Sequence, residues 1–149
     1  MIFSTRSLNS IVFVTSAIIV LFAISIVMYS QFESNKAAKR ADELSQRWLT
    51  AIPLDMSYEI SFGCMISFSY AVYRIDGKNY YEKNQWIETQ EQIGISEIFN
   101  AIQRATTKAY SLDVQYNSQY GFPERVKIDW NKDIYDDECF YTINKFKLG

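Results

Sequence analysis

Hydrophobic and polar positions change their rhythm four times along this chain. Residues Ile11 to Tyr29 form a nearly unbroken apolar run without Asp, Glu, Lys, Arg, Asn, Gln or Pro. Its strongly polar side chains are Thr15, Ser16 and Ser25, whose hydroxyls can bond back to helix carbonyls. About 20 apolar residues in a helix cross a hydrocarbon core of roughly 30 Å, so the run predicts a membrane anchor over residues 1–30. From Gln31 to Leu49 the chain has no Gly or Pro, and Phe32, Ala37, Ala41, Leu44 and Trp48 recur at helical spacing. This predicts a helical stalk over 31–50, ended by Pro53.

The remainder, residues 51–149, predicts a small exported domain that alternates. Tyr58, Ile60, Phe62 and Cys64 alternate with Glu59, Ser61 and Gly63 in the period of a strand. Phe68 to Ile75 reads as a second strand, Asp76-Gly77 as a hairpin turn, and Lys78 to Ile87 as the returning third, with Tyr81, Asn84, Gln85 and Trp86 in it. Ile95, Ile98, Phe99, Ile102 and Ala105 form one face of a helix that Gly94 or Ser96 can cap. Leu112 to Tyr116, Val126 to Trp130 and Cys139 to Phe146 read as three more strands, with a turn-rich Asn117 to Pro123 and a polar loop Asn131 to Asp137 between them. The expected fold is α+β: an anchor and stalk, then a small mainly antiparallel sheet (β-β-β-α-β-β-β) packed on one helix.

Composition narrows the function. The chain has 149 residues and a net charge of -2. Five basic and three acidic residues lie in 1–47, against ten basic and fourteen acidic after it. The folded part is mildly acidic, which argues against a nucleic-acid partner. There is no His, so Ser-His or Cys-His nucleophiles and His-bearing zinc sites are excluded.

The apolar run exceeds the 7–15 apolar residues of a signal peptide, and no A-x-A pattern follows it; an uncleaved anchor is favoured over a cleaved signal. Sidedness is disputed. Lys36, Lys39, Arg40 and Arg47 after the run outnumber Arg6 before it, which by the positive-inside rule leaves the domain cytoplasmic. A short N-terminal tail before a downstream domain favours export.

Two sets of residues could carry chemistry. Asp129, Asn131, Asp133, Asp136, Asp137 and Glu138 begin like a calcium loop, but Ile134 and Phe140 stand where a helix–loop–helix site needs Gly and Glu. The alternatives are paired carboxylates for hydrolysis, and a solvated hairpin loop whose side chains bond local amides. Cys64 and Cys139 are disulfide candidates if the domain is exported, and two buried thiols otherwise. The aromatic residues read as core and sheet face, with Tyr80, Tyr81 and Trp86 as a possible binding edge.

The stretch Tyr116 to Phe146, with Tyr116-Asn117, Tyr120-Gly121-Phe122-Pro123, Ile128-Asp129 and Asp136-Asp137-Glu138, resembles a bacterial domain-of-unknown-function family, DUF 6174. Glu97-Ile98-Phe99 fits the helix that precedes this block, and the resemblance extends over about 47–147. It implies export and a cell-envelope setting, without an activity. Two departures stand out: the family often has paired cysteines where only Cys64 stands, and a lipoprotein signal that is missing here. The expected function is a non-enzymatic, membrane-anchored envelope protein whose C-terminal domain lies on the periplasmic or extracellular side. No cofactor is expected apart from calcium, and the expected partners are the membrane and another envelope protein. A calcium-binding or hydrolytic domain is one alternative. A pilin-like or secretion-system subunit is another, though Met1 to Phe22 lacks the Gly and Glu of the pilin plan.

Overall fold

A computed structural model of the chain describes residues 5–82, 92–134 and 136–149. The later part of the expected third strand, with Asn84, Gln85, Trp86 and Ile87, lies outside the described residues, as does Tyr135. The chain divides into two compact units, Met1–Lys36 and Ala37–Gly149.

Helix α1 spans Thr5–Ala51 and contributes to both units. In the first unit its apolar side chains are exposed, from Phe13 at 76% to Tyr29 at 69%. Ser16 Oγ donates to the Phe13 carbonyl and Ser25 Oγ to that of Leu21, both at 2.9 Å, so the hydroxyls present no unpaired donor to apolar surroundings. The helix is long and apolar enough to cross a membrane, with a mean hydropathy of 2.3 in its most apolar window. A signal sequence meets the same criterion.

The second unit is an α+β fold. Six strands form one antiparallel sheet: β1 (Met56–Gly63), β2 (Ser67–Ile75), β3 (Lys78–Tyr81), β4 (Ser111–Tyr116), β5 (Pro123–Asp129) and β6 (Cys139–Leu148). The spatial order is β3-β2-β1-β6-β5-β4, so first and last strands meet at the centre and each half of the sheet grows outward by hairpins. Asp76 and Gly77 have φ of 49° and 76°, the conformation a two-residue hairpin turn demands.

Alternation separates the two sheet faces. Met56, Tyr58, Ile60 and Phe62 are buried, while Ser57, Glu59 and Ser61 are only half-buried on the opposite face. Helix α2 (Ile95–Lys108) covers the buried face with Ile95, Ile98, Phe99, Ile102 and Ala105, as its spacing predicts, and adds Ala101. Gly94 N donates to Glu97 Oε2 at 2.8 Å, closing the first turn.

The end of α1 is a second cover. The compact unit begins at Ala37, inside the segment expected as an amphipathic helical stalk. Ala41 is 0% exposed and Trp48 2%, and both belong to the core. Trp48 meets the edges of Phe122 at 5.6 Å and Phe146 at 6.3 Å. Leu44 packs over Gly121, whose φ of 77° requires glycine, and Arg40 lies 5.5 Å from the ring centre of Tyr116. Phe146 reaches this site because of a bulge: Ser57 pairs with Lys147 and Glu59 with Asn144, so Tyr58 faces two residues. Lys145, at φ 51°, absorbs the extra residue. Without it, period-2 alternation from buried Ile143 would turn Phe146 outward.

Trp48→Ala should therefore destabilise the second unit by about 3–5 kcal/mol, the range for deleting a buried aromatic. Tyr73→Ala, on the exposed sheet face, should stay within about 0.5 kcal/mol of the parent. Urea unfolding of the full chain in detergent, followed by near-UV circular dichroism, checks both values. Equal effects would mean that Trp48 does not hold the core.

Candidate functional site

The acidic residues at the β5–β6 end are spread across several tasks. Asn131 Oδ1 accepts from the Asp133 amide at 3.1 Å, and the Asn131 carbonyl accepts from Ile134 N at 3.0 Å, which makes the loop a local turn. Glu138 pairs with Lys127 at 2.9 Å, holding that ammonium in its charged form. The Asp129 carbonyl accepts from Tyr110 N at 2.8 Å. Asp136 is exposed. Asp129 and Asp137 each keep one buried carboxylate oxygen without a hydrogen-bond partner. Among the described residues, no group of three or more His, Cys, Asp or Glu side chains is arranged to hold a metal ion.

Beside this loop the structure joins Cys64 to Cys139 through a disulfide. It ties the β1–β2 turn to the start of β6 across a sequence separation of 75. Trp130 Nε1 donates to Cys139 Sγ at 3.3 Å, so the indole packs on the buried Cys139 end of the bond, while Cys64 is exposed.

A second polar group lies between β1, β2 and the start of α2. The Tyr70 hydroxyl accepts from Ile93 N at 2.6 Å and donates to the Ile93 carbonyl at 2.8 Å. Tyr81 packs edge-on against Tyr70, with ring centres 5.9 Å apart. Burial pushes the Tyr70 phenol up to about 12 from its ordinary 10.0, against the pull of its bond to the Ile93 backbone. Burial also raises Tyr58, more strongly, against a backbone hydrogen bond from Ile95. Tyr81 and Glu97 reinforce both shifts. These phenols stay neutral near pH 7 and fasten α2 to the sheet; they are not poised to exchange protons.

The expected aromatic edge divides. Tyr80 is 52% exposed on the outer face, whereas Tyr81 turns into the phenol group. Arg125, Gln115 and Asn144, which the sequence reading passed over, line a cleft where β5 and β6 part. The end of a strand ladder belongs to two strands at once, so neither strand's own pattern marks it.

A match to the family described as "Family of unknown function (DUF6174)" covers residues 47–148, beginning one residue before Trp48. No curated protein and no solved structure matches the chain.

The phenols set an alkaline limit. Their folded-state pKa values lie above the unfolded ones, so their contribution is complete below pH 10; that of Tyr70 is lost as pH rises through about 12, and that of Tyr58, raised more strongly, is lost higher still. Urea midpoints measured across that window should fall for the parent chain and fall less steeply for Tyr70→Phe. Parallel curves would remove Tyr70 from the account.

Proposed function

The chain belongs to DUF6174, a family of unknown function, and from that premise we propose a single-pass, membrane-anchored envelope protein that binds another envelope protein without catalysing a reaction. The apolar stretch of α1 is the anchor, and the unit 37–149 is the binding domain on the periplasmic or extracellular side.

The Cys64–Cys139 bond carries this reading. Disulfides persist in oxidising compartments and are rare in the cytosol, which opposes the sidedness suggested by Lys36, Lys39, Arg40 and Arg47. Those four cations are also diluted by Glu33, Asp42 and Glu43, and Lys39 pairs with Glu43 at 3.8 Å. The absence of His and the neutral phenols support a binding role over an acid–base one.

Two fusions after Gly149 test sidedness, one to a phosphatase that matures only outside the cytoplasm and one to a cytoplasmic galactosidase. The first should be active and the second silent; the reverse pattern would overturn the export reading. In the same cells Cys64 and Cys139 should resist maleimide until a reductant is added. Cys64→Ser with Cys139→Ser should cost about 4 kcal/mol in urea unfolding, as the chain-entropy relation gives for a loop of this length.

A further inference from the structure

The β5–β6 ladder ends before its strands do. Arg125 paired with Thr142 is its last pair, although β5 starts at Pro123 and β6 continues to Leu148. Beyond that pair each strand keeps only its neighbour on the side away from the split. β5 stays on β4 as far as Pro123 with Tyr116, and β6 stays on β1 as far as Leu148 with Met56. The sheet therefore splits into two halves, and a cleft of about 310 Å³ opens between Phe122–Arg125 and Thr142–Phe146. Both strands are irregular at the split: Glu124 is the extra residue where Gln115 pairs with Arg125 and Tyr116 with Pro123, and Lys145 is the extra residue of β6.

This wedge has a floor, an apex and a rim. Phe122 and Phe146, with ring centres 4.7 Å apart, close it on the core side, so it opens on the polar outer face. The apex is the Arg125–Thr142 pair, where the strands rejoin. Gln115 and Asn144 bring primary amides to the rim. Two of the charged groups there are engaged. Lys145 Nζ pairs with Glu59 at 2.6 Å, and Glu124 Oε1 accepts from Asn117 Nδ2 at 3.4 Å. The Arg125 side chain is exposed and makes no hydrogen bond or ion pair among the described residues.

We propose that this cleft binds the carboxyl terminus of an extended peptide, with the terminal carboxylate on Arg125 at the apex and the last, apolar side chain over Phe146. The volume sits at the small end of the roughly 300–1,000 Å³ range of ligand pockets, enough for the last residues of a chain. Strand edges that have lost their partners offer amides and carbonyls to a peptide backbone, which a hydrocarbon tail could not use. Because the split closes at Arg125, a chain lying between the strands must stop there, and the group at its end meets a guanidinium built for bidentate contact with a carboxylate. With Lys145 tied to Glu59, Arg125 is the one cation of the lining without an ion-pair partner among the described residues, and Glu124 on the rim repels added negative charge, so the site suits a singly charged carboxylate better than a phosphate dianion. The site lies within residues 37–149 and stands whichever side of a membrane that unit occupies.

The test uses the full chain in detergent micelles with two probes, N-acetyl-alanyl-phenylalanine and the same dipeptide capped as its C-terminal amide. The free acid should shift the amide resonances of residues 122–125 and 142–146, and the capped form should bind at least about tenfold more weakly. Arg125→Gln should remove that preference without moving the melting temperature, and Asn144→Asp, which adds a repelling carboxylate to the rim, should weaken the acid alone. No shift with millimolar acid, equal binding of both probes, or a preference that survives Arg125→Gln would each overturn the assignment.

Discussion

The docking of Trp48 against the paired rings of Phe122 and Phe146 is the contact on which the second unit depends. Helix α2 alone leaves part of the sheet's apolar face uncovered, and the last turns of α1 supply the missing cover. Ala41 and Leu44 continue the contact along one helix face, with Gly121 providing the space under Leu44. The helix that carries the apolar run is thus the helix whose end completes the core. The indole nitrogen of Trp48 is buried without a hydrogen-bond partner, so its contribution comes from ring packing, against a desolvation cost of order 1–3 kcal/mol.

Much of the fold was legible because its signals are local. Alternation placed β1, β2, β4 and β6 to within a few residues, Asp76-Gly77 placed a turn, and i, i+3, i+4 spacing selected the buried face of α2. The end of α1 was less legible for a physical reason. Ala37, Ala41, Leu44 and Trp48 show that this helix has an apolar side, but the same spacing serves a stalk in water and a helix against a sheet. What distinguishes them is the aromatic group waiting near Phe122 and Phe146, about 75 to 100 residues further along. The family match from residue 47 includes Trp48 but leaves out Ala41 and Leu44, so part of the cover lies before it.

The chemistry was read with mixed reach. The acidic loop drew attention by its density, yet its members are divided among a turn, an ion pair, a backbone contact and solvent. Density in sequence is not convergence in space, and a hard cation needs convergence. The split between β5 and β6 had the opposite character. Neither Glu124 nor Lys145 stands out in the chain, since a charged residue at a bulge is written like any outward residue of a strand. Only the ladder on both sides reveals the extra residue.

The bulge at Lys145 links the cover and the cleft. One added residue turns Phe146 inward, where it meets Trp48 below and Phe122 beside it, and the same residue stands where β6 parts from β5. A left-handed backbone at a lysine costs of order 1 kcal/mol, and the aromatic contact on the core side together with the Glu59 ion pair on the outer side offset it. Removing the extra residue would restore regular alternation and also send Phe146 into solvent. The irregularity is therefore tied to the core by the residue that follows it. A sheet with a continuous ladder would bury less aromatic surface against α1, and it would have no wedge at Arg125 in which a chain could end.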